Sequence, residues 1–146
     1  MFNFSGLLTA TGLTLLGAVA SGAVQAPPAK VVTTSSGVYT AGQASRGEQT
    51  YMNFCVSCHP TGTYTAPAFR DLWNGAPLSG LFVLIRDTMP KQEPATLAPE
   101  EYADVVAYLL KINGAPAGKT ELPAKTNALR GIRIAMPAAP GKRPRK

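Results

Sequence analysis

Two cysteines and one histidine are all the thiolate and imidazole ligands available to this chain of 146 residues. That scarcity excludes several chemistries. A structural zinc site needs four ligands and a catalytic one needs three plus water, so zinc has too few partners here. With His59 as the only histidine, no imidazole is left over for general-base work and none to close a metal from a second side. No Gly-rich phosphate loop and no paired carboxylates at a telling spacing mark an active site. No β-branched run precedes the cysteines, which argues against the thioredoxin-type redox setting. The sequence is richer in backbone punctuation, with 14 Gly and 13 Pro. Such a composition implies short elements joined by turns and a modest core that a bound group can supplement.

From Leu7 to Val24 the segment LLTATGLTLLGAVASGAV carries no charge and ends in small residues. With Val24 and Ala26 spaced like a signal-peptidase site, residues 1–26 are expected to be a signal peptide. The alternative is an uncleaved membrane anchor, because a run of about 18 apolar residues is near the lower limit for crossing a bilayer. Either way the remainder is expected outside the cytoplasm, in the periplasm. Residues 27–42 then read as a flexible linker, 43–117 as the folded domain, and 118–146 as a basic, Pro- and Ala-rich tail.

Cys55, Cys58 and His59 form a Cys-x-x-Cys-His motif. A disulfide between the two cysteines would enclose only Val56 and Ser57 and remove little entropy from the unfolded chain. A buried, inert pair beside a surface histidine is the plain alternative. Covalent haem is the chemistry that uses all three residues. Two thiols add across the porphyrin vinyl groups, and the adjacent histidine serves as the proximal ligand of iron.

A haem needs a helix leading into the motif and a sixth ligand further on. Upstream, Ser45 is a candidate N-cap with Glu48 three residues later, and Gly47, Tyr51 and Cys55 recur at intervals of four. Downstream, apolar positions Tyr102, Val105, Val106, Leu109 and Leu110 define a second helix, opened by Pro99 and closed by Lys111 and Gly114. A third spans about Leu78 to Asp87. Of the four methionines, Met1 lies in the leader, Met52 on the helix ahead of Cys55, and Met136 in the Pro-rich tail. Met89 remains, where Pro90 stops the third helix and Pro94 stiffens the loop beyond it. The competing role for Met89 is to fill a gap in the core.

These residues resemble the class I c-type cytochromes. The likeness covers residues 43–114: Gly47 and Tyr51 ahead of Cys55, the motif itself, Met89 before Pro90, and the AYLLK stretch at 107–111. The resemblance implies an all-α fold of three to four short helices around one covalent haem c, held by Cys55 and Cys58 with His59 and Met89 on the iron. It also implies that Gly47 lets the last helix cross closely, near Tyr108. The interval from His59 to Met89 is short for the family, so the loops at the haem edge should be reduced. The stretch from Leu81 to Gly118 is similar to cytochromes that serve quinoprotein dehydrogenases, which implies such a dehydrogenase, and a terminal oxidase or another cytochrome, as redox partners.

Pro67, Phe69, Leu72 and Trp73 are expected to form the haem wall. The Trp73 N–H, Arg70 or Tyr64 can hydrogen-bond a propionate. With thioether and imidazole both on the iron, the expected role is electron transfer rather than catalysis. Two alternatives stand beside it: an open distal position acting on peroxide or a diatomic gas, and a fixed electron-transfer subunit of a quinoprotein dehydrogenase complex.

Charge is unevenly spread. Residues 27–117 hold six basic and seven acidic residues, net −1, whereas 118–146 hold eight basic and one acidic, net +7. A mobile cationic tail can contact an acidic protein surface or an anionic membrane and raise the on-rate at low salt. Leu122, Leu129, Ile132 and Ile134 can instead pack back on the domain or on a partner. Nucleic acid is not among the expected partners.

Overall fold

Helical periodicity and early capping set the first long element of the computed structural model, which describes Met1 and residues 31–137. Helix α1 covers Ala41–Phe54. Its N-cap is Thr40, whose Oγ1 accepts from the Gln43 N–H at 3.0 Å, rather than Ser45 as the sequence suggested. The earlier start buries Gln43 and Ala44, contacts a helix beginning at Ser45 would forgo. Two short helices follow, α2 (Thr61–Thr65) and α3 (Pro67–Trp73), and neither buries a residue fully. Helix α4 (Leu78–Thr88) ends at Met89, since Pro90 can supply no N–H to continue it. Helix α5 (Pro99–Ile112) opens with proline at its first turn and with Glu101 Oε2 accepting from the Ala98 N–H at 2.8 Å. It stops at Asn113 and Gly114, the latter at φ +83°. The three longer helices are those read from the periodicity; α2, α3 and a four-residue α6 (Thr126–Leu129) are additional. The result, among the described residues, is a small, mostly helical fold with little strand, consistent with the all-α expectation.

Helix α5 is central. Residues Tyr102 to Leu110 are all buried, so both of its faces carry core. One face, with Val105, Tyr108 and Leu109, meets Tyr51 of α1. The other, with Tyr102, Val106 and Leu110, meets Tyr39, Leu78 and Phe82. Gly47 makes the crossing of α1 and α5 possible: a Cβ there would collide with the Asp104 carbonyl and lie 2.9 Å from the Val105 nitrogen. The close approach falls one turn before Tyr108, whose ring instead packs on Tyr51 at 5.1 Å. Beside the crossing, Arg46 forks onto the buried Asp104 carboxylate at 2.8 and 3.1 Å.

The packed unit extends past residues 43–117 at both ends. Strand β1 (Val32–Thr33) pairs in parallel with β2 (Ile132–Arg133). The Thr34 hydroxyl donates to the Ala135 carbonyl at 3.0 Å and accepts from the Ala135 N–H at 2.8 Å. Leu122, Leu129 and Ile134 are buried in the same cluster as Tyr39 and Phe82. The described part of the expected tail, 118–137, is therefore a strap over the domain, and buried Thr34 and Tyr39 tie residues 31–42 to it where a free linker was expected. Charge counting missed this because the four apolar anchors are spread over 13 residues, too sparsely for a period. Residues 2–26 of the expected leader and the basic cluster from Lys142 to Lys146 lie outside the described residues. Among the described residues, no helix is long and apolar enough to cross a membrane.

Replacing Leu129 with alanine is expected to cost about 2–5 kcal/mol, as for a fully buried leucine. Urea unfolding measures it; a midpoint equal to the parent's would show that the strap is not part of the cooperative unit.

Candidate functional site

The turn that ends α1 delivers the motif. The Cys55 N–H donates to the Tyr51 carbonyl at 2.9 Å, and the His59 N–H to the Cys55 carbonyl at 2.9 Å, so the helix passes directly into a hydrogen-bonded turn. This brings Cys55, Cys58 and His59 to one wall of a cavity of ≈ 790 Å³. That volume falls within the range of cofactor pockets. Both thiols are free; Cys55 is half-buried and Cys58 exposed. Burial pushes the Cys55 thiol up from its ordinary range. The Tyr51 hydroxyl donates to the His59 carbonyl, and burial, with Tyr64, Tyr108 and Cys55 nearby, pushes the phenol up to about 12.

The remaining walls come from other elements. Val105 and Leu109 of α5 and Ile85 of α4 supply apolar surface, and the segment after α4 contributes Met89, Pro90, Lys91 and Gln92. Met89 is fixed through its backbone: its N–H donates to the Ile85 carbonyl at 2.9 Å, and its carbonyl accepts from the Tyr102 hydroxyl at 2.8 Å. Tyr102 also accepts from the Leu97 N–H at 3.3 Å, so one buried phenol ties both ends of the 89–97 loop to α5.

Cys55, Cys58, His59 and Met89 therefore meet in one cavity; Trp73 does not. Phe69 and Trp73 are four residues apart on α3, so their rings point the same way, 6.4 Å apart, toward the core beneath α4. Pro67 and Leu72 do not line the cavity either, and Leu72 is exposed. Arg70 is occupied elsewhere, donating to the Asn113 side chain at 3.2 Å and to the Pro137 carbonyl. Of the suggested wall residues, Tyr64 alone reaches the cavity, its ring centroid 5.8 Å from that of His59. Val105 and Leu109 were legible as a helical stripe, but not as cavity wall. Ile85 carried no distinguishing signal, and neither did Phe54, which also lines the cavity.

The chemistry of this lining fits a covalent haem: two thiols three residues apart, the imidazole beside them, a thioether from a separate element, and hydrocarbon between. Comparison with known proteins agrees. Residues 42–109 match the family model described as cytochrome c oxidase, cbb3-type, subunit III. No curated protein and no solved structure matches the chain. The match supports a class I, monohaem c-type cytochrome in this stretch. Such a domain carries covalent haem c and serves haem-based electron transfer, which the lining of this cavity fits.

Proposed function

We propose that the chain carries single electrons in the periplasm through one haem c bonded to Cys55 and Cys58, with His59 and Met89 as the axial ligands. The observation that supports this most directly is that one cavity is lined by both thiols, the imidazole and, from a different element, the thioether. When bound, haem c supplies a one-electron ferric–ferrous couple.

The protein's own residues hold, orient and dry the site. Tyr51 fixes the His59 backbone through its carbonyl. Tyr102 fixes Met89 through its carbonyl, and Ile85 through the amide, so the thioether is carried by a segment anchored on two helices. Val105, Leu109 and Ile85 exclude water, and with a thioether ligand this raises the reduction potential. With His59 and Met89 both engaged, no coordination position remains for oxygen, peroxide or carbon monoxide. The electron donor in this reading is a dehydrogenase of the quinoprotein kind. The acceptor is a terminal oxidase or another cytochrome, in keeping with the oxidase named by the matched family.

The reduced protein at neutral pH should not bind carbon monoxide rapidly. Met89→Ala should admit it within mixing time and lower the midpoint potential, and the spectrum in alkaline pyridine should report two thioether links in both proteins. Rapid binding by the parent would overturn Met89 ligation in favour of an open distal site.

A further inference from the structure

We infer that Asn113 is a positioning residue for the haem, holding Tyr64 against His59 and so setting how dry the histidine side of the site is; the inference rests on His59 being an iron ligand. Tyr64 belongs to α2, a five-residue helix that buries none of its residues. Tyr64 alone of its residues packs on the Tyr51 cluster, and only in part, so core packing holds this wall weakly. A short element with so little burial belongs to the low-stability end of a fold unless something pins it.

Asn113 supplies the pin. It is 3% exposed, at the end of the central helix. Its Nδ2 donates to the Tyr64 carbonyl at 2.8 Å and to the Leu109 carbonyl at 2.9 Å, using both amide hydrogens. Its Oδ1 accepts from Arg70 Nη1 at 3.2 Å, and the other guanidinium nitrogen of Arg70 donates to the Pro137 carbonyl. One buried amide thus joins α2, α3 and α5, and Arg70 carries the link on to the end of the strap. No side chain without a hydrogen-bonding group can do this, and aspartate has no hydrogen to donate to either carbonyl.

The consequence reaches the cavity through the Tyr64 ring. It lies 5.8 Å from His59 and meets Tyr51 edge-on at 6.1 Å. Tyr51 is the residue whose hydroxyl donates to the His59 carbonyl. Releasing the Tyr64 carbonyl lets α2 move away from the motif and water approach the imidazole, which favours the more highly charged ferric state.

The test is the midpoint potential of intact holoprotein, set beside urea stability. Asn113→Ala should lower the ferrous-to-ferric ratio at a fixed ambient potential by about threefold to tenfold, tenfold being ~59 mV for one electron. Arg70→Ala should shift it in the same direction by less. Leu129→Ala, buried on the far side of α5, should lose stability yet keep the parental potential. Unchanged potential in Asn113→Ala, or an equal shift in Leu129→Ala, would reduce Asn113 to a helix cap with no bearing on the haem. Should Asn113→Ala yield no holoprotein, Arg70→Ala decides alone, and a parental potential overturns the assignment. Carbon monoxide binding by the parent tests the axial ligands separately, so failure of that reading is distinguishable from failure of this one.

Discussion

Gly47→Ala should destabilise the domain by roughly 3 kcal/mol or more, at or beyond the upper end of ordinary overpacking. Two effects oppose each other at this position. Alanine is the better helix former by about 1 kcal/mol, so propensity alone predicts a gain. Sterics predict a loss, because the added carbon meets main-chain atoms, the Asp104 carbonyl and the Val105 nitrogen, rather than a side chain able to turn aside. Relief requires α1 and α5 to separate, which opens the interface that packs Tyr51 against Tyr108 and leaves Asp104 beside a displaced Arg46. The clash outweighs the gain in helix propensity. Gly42→Ala provides the contrast on the same helix, since a Cβ there meets only the Thr40 hydroxyl at 4.0 Å. It should be neutral or stabilising by up to ~1 kcal/mol. Guanidinium unfolding of the two variants compares them directly. Equal midpoints would show that the helices can part at little cost.

Replacing both Cys55 and Cys58 by serine should abolish covalent haem altogether, read as an intact mass equal to that of the polypeptide alone. The physical ground is that serine hydroxyls form no thioethers; His59 and Met89 still line the cavity, but coordination by them is not a covalent link to the porphyrin and adds nothing to the polypeptide's intact mass. Stability should fall with attachment. A cavity of ≈ 790 Å³ lies between α1, α4 and α5. A group bound only by the folded state stabilises it, and its absence leaves those walls without contacts. The single substitutions separate the two roles. Cys58 is exposed and Cys55 half-buried, so Cys55→Ser also places a hydroxyl among Tyr51 and Val105, and should unfold at lower denaturant than Cys58→Ser. A double variant that still carried covalent haem would remove the chemical basis of the site.

Much of the site was legible because its chemistry is local. Cys55, Cys58 and His59 are neighbours along the chain, and their order can be interpreted without knowing any fold. Met89 was legible by elimination together with Pro90, whose missing N–H dictates where α4 ends. The long helices were legible because Tyr102, Val105, Val106, Leu109 and Leu110 repeat with helical period. Trp73 was misplaced for a related reason. An aromatic residue between the motif and Met89 reads as wall, but only the direction of α3 shows that its ring joins Phe69 in the core beneath α4. Asn113 had no signal beyond that of a residue preceding Gly114. Its importance lies in contacts to Tyr64 and Arg70, 49 and 43 residues away.

The strap makes the same point for the fold. Eight basic residues and one acidic residue in 118–146 read as a solvated tail. Leu122, Leu129 and Ile134 are nonetheless buried, because Tyr39, Leu78 and Phe82 offer an apolar face that the 43–117 segment does not cover by itself. By itself, the sequence determined the cofactor chemistry and the helical period, since both depend on residues within one or two turns of each other. The tertiary structure alone decided which side of each helix faces the cavity, that the chain's later segment closes the core, and that one buried amide holds the wall beside His59. Those outcomes depend on surfaces that exist only after distant segments have packed.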